Sequence, residues 1–249
     1  SLESTGGMVM ESHSSSFSSA FDYENFDLDP SVSSVRIGKT TNTANVVIKD
    51  PVAMAGPISI YGGDILLEED LTSTLSGADV LVKGRGDVEA VASRSFLTNN
   101  GDIVFWSNSD NSGVGSIKLG NDNVLNSSNG RSGDTDSGGG KITLGGGSGS
   151  GTSPTGYSSS STGAGIKLGT STANHTEIYS GGGDISIKGS STATGLVDDR
   201  DESGIYQWGR MTMKSGRGAI TMLGTSSEYQ GIGFVAVSYT HLRAHETLE

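Results

Sequence analysis

A short apolar triplet recurs along this chain, and it constrains the fold more than any other feature. Isoleucine stands first and an apolar residue third, with a glycine one or two residues before them. Copies of the triplet begin at Ile58, Ile65, Ile103, Ile117, Ile142, Ile166, Ile185 and Ile220. Alternation with a period of two indicates a short strand with one buried face, and the glycines favour the bends that end such strands. The repetition predicts a fold built by stacking one unit.

The spacing of the strands indicates how the units stack. In five places a glycine-containing turn joins two short strands, as in "PISIYGGDILL" and "TEIYSGGGDISI", and longer polar stretches separate these pairs. The order of a strand, a tight corner, a second strand and a longer excursion is typical of one coil of a solenoid. We therefore predict an all-β fold, a right-handed parallel β-helix (β-solenoid) of short glycine-bounded strands. A β-sandwich is the alternative, but it favours longer strands and more aromatic residues than the 6% found here.

The predicted solenoid makes a specific statement about side-chain direction. The isoleucines should point inward, stacked in one or two columns, and so should the residues two positions later. The middle residues should face outward. The isoleucines for which we make this prediction are Ile65, Ile103, Ile117, Ile142, Ile166, Ile185 and Ile220.

The repeat divides the chain into three parts. Residues 1–31 form a polar lead-in or a partial coil, residues 32–236 the solenoid, and residues 237–249 a tail of different composition. The tail, "VSYTHLRAHETLE", resembles sequencing-adapter read-through at the end of a metagenomic fragment, so we expect it to be non-native and not to pack against the coils. Within the solenoid, two tracts rich in Gly and Ser, 130–140 and 145–165, are predicted to be flexible loops that bulge outward.

Charge and composition exclude several functions. The net charge is −12 and the 16 Lys and Arg residues are scattered, which argues against a nucleic-acid partner. The absence of cysteine excludes disulfides, thiol catalysis and Cys-ligated zinc. No apolar run approaches the roughly 20 residues that span a bilayer, so no membrane span is predicted in this sequence.

The "GGDIxL…G" units, with "SGIYQW" and "QGIGFVAV" between them, resemble the repeats of large bacterial exoproteins. These are the filamentous-haemagglutinin-like β-helix adhesins, and the resemblance covers residues 32–236. It implies a secreted or cell-surface bacterial protein whose rod serves as an adhesin stalk or scaffold, without catalysis or cofactor. Its partners would be glycans or proteins on host or neighbouring cells. The alternative is a β-helix enzyme, a lyase or glycoside hydrolase, acting on polysaccharide.

Two loops contain candidate site residues. Arg85, Gly86 and Asp87 form the tripeptide that integrin ligands display, although glycine and aspartate also suit a corner between strands. The cluster "VDDRDE" contains Asp198, Asp199, Asp201 and Glu202. Polysaccharide-cleaving enzymes use paired carboxylates, but a solvated loop explains the cluster more simply.

No metal site is predicted. Asp64, Asp102 and Asp184 follow glycines, as in calcium-binding repeats, but they lack the second spaced glycine and are interpreted as corner residues that cap the next strand. His241 and His245 have the spacing of two ligands on one helix face, but they lie in the tail.

Overall fold

The computed structural model describes residues 6–29, 31–129, 138–195, 199–228 and 230–235. Regular structure in these residues is almost entirely β-strand, with a single 3₁₀ helix at Asp199–Glu202. The strands are short, mostly parallel, and arranged in three sheets that the chain visits in turn. The chain is a parallel β-helix, which confirms the predicted all-β solenoid. Its right-handedness stays a prediction.

The three sheets account for all the strands in the described residues. Sheet 1 contains β1 (Met8–Met10), β3 (Val35–Ile37), β6 (Ile58–Gly62), β9 (Val80–Gly84), β12 (Ile103–Ser107), β15 (Ile142–Ser150), β20 (Ile185–Ser191) and β23 (Ile220–Ser226), with β16 (Ser153–Gly156) and β17 (Ser158–Ser160) attached. Sheet 2 contains β2 (Phe21–Tyr23), β4 (Val46–Ile48), β7 (Ile65–Leu67), β10 (Val88–Ala90), β13 (Ile117–Leu119), β18 (Ile166–Leu168), β21 (Ile205–Trp208) and β24 (Ile232–Val235). Sheet 3 contains β5 (Val52–Met54), β8 (Leu71–Ser73), β11 (Ser95–Thr98), β14 (Val124–Asn126), β19 (His175–Tyr179) and β22 (Arg210–Lys214).

One strand from each sheet, taken in chain order, makes one coil. Counted from Val35 to Ile58, from Ile58 to Val80 and from Val80 to Ile103, a coil takes 22 or 23 residues. Later coils are longer because excursions leave the corner between sheet 1 and sheet 2, at 108–116, 145–165 and 192–204, and because residues 127–141 separate β14 of sheet 3 from β15 of sheet 1. The lead-in contributes β1 and β2, which pair with β3 and β4 and so form a coil of the same stack.

The interior consists of isoleucine and valine columns, as predicted. Ile103, Ile142, Ile185 and Ile220 stack in register in sheet 1, and a second column in sheet 2 contains Ile65, Ile117 and Ile166. All are fully or almost fully buried except Ile220, which is half-buried on the last described strand of sheet 1. Burial of one such side chain stabilises the fold by roughly 1.5–3 kcal/mol, so a core this narrow still holds the stack together.

Aspartate and asparagine side chains at the corners bond the coils to one another. The sequence predicts that Asp64, Asp102 and Asp184 cap the strand that follows, and this is wrong. Their carboxylates accept N–H groups from the next coil, because stacking in register places a backbone N–H of that coil above each carboxylate oxygen. The donor–acceptor pairs at the two corners are Asp64 N–H to Asn45 Oδ1 (2.9 Å), Asp87 N–H to Asp64 Oδ1 (2.9 Å), Ser116 N–H to Asp87 Oδ1 (2.7 Å), Asp102 N–H to Asp79 Oδ1 (2.7 Å), Lys141 N–H to Asp102 Oδ1 (2.7 Å) and Ala219 N–H to Asp184 Oδ1 (2.9 Å). In every one of these pairs the acceptor lies in the earlier coil.

The Asp79→Asn variant is expected to be more stable than the parent chain at neutral pH. Burial raises the pKa of Asp79, and the Asp102 carboxylate adds to this, while the hydrogen bond from the Asp102 N–H opposes it. A raised pKa means that ionised Asp79 destabilises the fold, so its contribution worsens as pH rises through the folded value. Asparagine keeps the acceptor and removes the charge. Melting temperatures from pH 3 to 8 should differ most near neutrality and converge at acid pH, and a constant difference would contradict this explanation.

Residues 145–165 do not form the loose loop that their composition predicted. β15 continues beyond Leu144, turns at Gly151, and pairs antiparallel with β16, while β17 takes over the pairing with β20. The hairpin lies against Trp106 on the outer face of sheet 1, where the Trp106 Nε1–H donates to the Gly147 carbonyl at 3.0 Å. Outward-facing Leu81, Val104 and Trp106 are therefore buried in a second, small apolar cluster. The other loose tract, 130–140, lies mostly outside the described residues.

The hairpin also depends on a glycine and a lysine. A Cβ at Gly149 would lie 2.6 Å from Cζ2 of Trp106, so only glycine allows the strand to approach the indole ring this closely. The Lys83 Nζ lies 3.6 Å from the centroid of the same ring, a cation–π distance, and burial lowers the pKa of this lysine. The Gly- and Ser-rich composition of the tract therefore reflects close packing.

Candidate functional site

A cleft lies on the outer face of sheet 2, where three charged side chains follow one another in register. Glu89 on β10 is paired with Lys118 on β13, and Lys118 with Lys167 on β18. These are the middle residues of their strands, so they point away from the core. Because consecutive coils are about 4.8 Å apart, the three side chains form a row about 10 Å long.

Two excursions flank this row of side chains and form the sides of a concave site. Residues 162–164 follow β17, which ends at Ser160, and Asp201 comes from the 3₁₀ helix of the next coil. The volume of this half-open cleft is about 470 Å³, within the roughly 300–1,000 Å³ of ligand pockets. The lining consists of 89–92, 118–121 and 162–164 with Ser160, Lys167, Thr170 and Asp201, and we call it the sheet 2 cleft.

Both lysines of the sheet 2 cleft are ion-paired. Lys118 Nζ lies 2.9 Å from Asp87 Oδ2, and Lys167 Nζ lies 2.7 Å from Asp201 Oδ1. Lys167 Nζ also lies 5.4 Å from the ring centroid of Tyr206, the next residue along the outer face of sheet 2. Glu89 differs, because its exposed carboxylate has no ion pair with any residue in the described ranges. The sheet 2 cleft therefore contains one carboxylate, that of Glu89, that can accept hydrogen bonds from a ligand. Beside it lie two lysines whose charges are neutralised by ion pairs.

Asp87 connects the sheet 2 cleft to the corner beneath it. Its carboxylate accepts the Ser116 N–H, the Ser116 hydroxyl and a hydrogen bond from Lys118 Nζ, all at 2.7–2.9 Å. Burial alone would raise the pKa of Asp87, but the bonds from Ser116 and Lys118 outweigh it and lower the pKa. Asp87 thus stays ionised and holds Lys118 in place.

The Arg85, Gly86 and Asp87 tripeptide lies in the turn between β9 and β10. The Arg85 guanidinium is 3.1 Å from the Asp110 carboxylate, and a Cβ at Gly86 would lie 2.1 Å from Oδ1 of Asp64. The Asp87 carboxylate is bonded as described above. All three residues therefore contact neighbouring coils, as the corner interpretation of this tripeptide requires.

The structure separates the residues of the acidic cluster. Asp201 reaches the sheet 2 cleft and pairs with Lys167, whereas Glu202 is buried. Asp199 begins the 3₁₀ helix, and Asp198 lies outside the described residues. His241 and His245 also lie outside them, as do residue 236 and the whole tail, 237–249. Within the described ranges, no three His, Asp or Glu side chains come together as metal ligands do.

Sequence reasoning did not identify the sheet 2 cleft, although one signal for it was present. The triplet "IKLG" occurs twice, at Ile117 and Ile166, and places Lys118 and Lys167 at the same position of successive coils. Two identical triplets at one corner predict stacked lysines, and stacked lysines require nearby carboxylates. Glu89 occupies the corresponding position one coil earlier.

No protein-family model, no curated protein and no solved structure matches this chain. Its function is therefore argued from the fold and the sheet 2 cleft alone. Across the residues that the structure describes, none of the helical segments has the length and apolar character needed to cross a membrane.

Proposed function

We propose that this chain is a structural and adhesive segment of an exported, repetitive bacterial surface protein, resembling the filamentous-haemagglutinin-like adhesins. The observation that carries the proposal is the unbroken register of sheets 1 and 2 from β1 and β2 to β23 and β24. The inward positions recur from coil to coil, and corner bonds from Asn or Asp side chains join several of the coils. Such a stack is a stiff scaffold whose excursions vary without disturbing the core.

The outer surface suits contact with glycans or proteins of host or neighbouring cells. A net charge of −12 disfavours nucleic acid and anionic polymers as partners. The excursions between sheets 1 and 2 present polar side chains on one edge of the rod, and the sheet 2 cleft lies among them. Surface loops on a rigid scaffold are where binding residues concentrate in proteins.

The alternative, a polysaccharide-cleaving enzyme, has one observation in its favour. The sheet 2 cleft contains two carboxylates, Glu89 and Asp201, and glycoside hydrolysis uses such a pair. Asp201, however, is bound to Lys167 at 2.7 Å, which commits this carboxylate to an ion pair. We therefore propose binding without catalysis.

Beads coated with the full chain should adhere to bacterial or animal cells more than beads coated with albumin at equal density. Adhesion is counted under flow across a panel of both cell types. In parallel, the chain is incubated with plant and bacterial polysaccharides and the release of reducing or unsaturated ends is measured. Adhesion without release supports the proposal. Release without adhesion on any cell type would replace it with the enzymatic alternative, and neither adhesion nor release would leave the chain a stalk without adhesive function.

A further inference from the structure

We propose that the sheet 2 cleft binds a neutral oligosaccharide, with Glu89 as the principal hydrogen-bond acceptor. The inference deepens the adhesive function proposed above by naming the site and the class of ligand. It depends on three features of the described residues: the charge balance of the lining, the distribution of polar and apolar groups, and the length of the row.

Charge balance excludes an acidic ligand. Lys118 and Lys167 are the two cations of the lining, and each is compensated by a carboxylate within 3 Å, Asp87 and Asp201 respectively. The remaining charged group, Glu89, is negative and has no ion-pair partner among the described residues. A uronate or sulfate would therefore meet no free cation and would be repelled by Glu89, whereas a hydroxyl group would donate to it.

The polar and apolar groups of the lining suit a sugar ring. Thr162 and Thr170 are exposed in the lining and bring hydroxyl groups that both donate and accept. Ala92, which is exposed, and Val91, which is half-buried, supply small apolar surfaces beside Glu89. Sugars combine hydroxyl groups with apolar C–H faces, so they use both kinds of surface at once.

The dimensions favour a short chain over a single small molecule. The row of Glu89, Lys118 and Lys167 crosses three coils, about 10 Å at the spacing of paired strands. That length accommodates two linked hexose rings along the stack. Asn121 holds the edge of the cleft in place, because its Oδ1 accepts the Thr170 N–H at 2.7 Å and its Nδ2 donates to Ser171 at 3.0 Å.

The test is a binding titration of the full chain with defined hexasaccharides. The neutral probes are gluco-, manno-, xylo- and galacto-oligosaccharides, and the acidic comparator is oligogalacturonate. At least one neutral probe should bind, and oligogalacturonate should bind at least tenfold more weakly. Preference for the acidic probe, or no binding of any neutral probe, would overturn the proposal.

Matched variants locate the binding. Thr162→Trp fills the cleft from an exposed position and should weaken binding at least tenfold, while Thr152→Trp, exposed at the hairpin turn, should not change it. Glu89→Gln keeps an acceptor oxygen but removes its charge, so it should weaken binding about fivefold, the difference between a charge-assisted and a neutral hydrogen bond. Glu68→Gln, one coil earlier and outside the lining, should have no effect. Circular dichroism confirms that each variant is folded. Binding unaffected by Thr162→Trp would place the sugar elsewhere and refute the cleft.

The same variants separate this inference from the adhesive function. If beads coated with the wild-type chain adhere to cells and beads coated with the Thr162→Trp variant adhere equally, the adhesive function is supported and the cleft is refuted as its site. If the wild-type chain binds a neutral probe through the cleft but coated beads do not adhere, the cleft stands and the adhesive function fails.

Discussion

The Ile185→Asp variant is expected to lose more than about 4 kcal/mol of unfolding free energy, a loss that places a single substitution among the exceptional ones. Ile185 is fully buried and stacks in register between Ile142 and Ile220. An aspartate there loses the burial of the isoleucine and has no cation in reach within the column, so its desolvated carboxylate is unpaired. Urea unfolding followed by circular dichroism measures the change.

Ser186→Asp is the matched control, because the next residue on β20 points outward and is half-buried. Its unfolding free energy should change by less than about 1 kcal/mol. Ile185→Val should lose about 0.5–1.5 kcal/mol, as expected for removing one methyl group from a packed column. Equal losses for the two aspartate variants would contradict the inward direction of Ile185.

Trp106→Ala is expected to lose about 3–5 kcal/mol, the range for truncating a buried aromatic side chain. Trp106 is almost fully buried, donates to the Gly147 carbonyl and lies beneath Lys83. It lies on the outer face of sheet 1, so its loss should release the β15–β16 hairpin and leave the isoleucine columns in place. Hydrogen exchange should therefore accelerate in residues 146–156 and stay slow in β20.

Trp106→Phe separates the two contributions of this side chain. Phenylalanine keeps most of the buried ring but leaves the Gly147 carbonyl without its donor, so about 1–2 kcal/mol should be lost. A Trp106→Ala variant with unchanged hairpin exchange would show that the hairpin is held by other contacts. Uniform acceleration through all three sheets would show that the outer cluster supports the whole stack.

The inner columns were predictable because the signal for them is local. Alternation over three residues, bounded by glycine, already states which side chain faces inward, and the structure places Ile117 and Ile166 accordingly. The outer cluster was not predicted, although "VLVK" and "IVFW" are apolar on both faces of their strands. A strand that is apolar on both faces must be covered on both, and the covering segment here is the Gly- and Ser-rich hairpin.

Beyond the stacked lysines that the repeated "IKLG" indicates, the sheet 2 cleft could not be predicted, because its other parts are distant in the sequence. Glu89 and Asp201 approach the same concave surface only because the coils stack in register and the excursions fold across them. The path of an excursion depends on tertiary packing, which no local pattern encodes. The acidic cluster was interpreted as a solvated loop, whereas the structure buries Glu202 and pairs Asp201 with Lys167.

The corner bonds give the stack a head and a tail. Asn45, Asp64 and Asp87, like Asp79 and Asp102, each accept an N–H from the following coil. At these two corners, a cut between two coils would leave carboxylate or amide oxygens on the earlier coil and unmet N–H groups on the later one. Two such pieces could associate head to tail, which would restore these corner bonds. Head-to-head association would instead place carboxylates against carboxylates. The side-chain bonds at these corners therefore have the same polarity along the rod, as the backbone does. A coil inserted between those of Asp64 and Asp87 would need an N–H toward Asp64 and an acceptor oxygen toward the Asp87 N–H to keep these bonds.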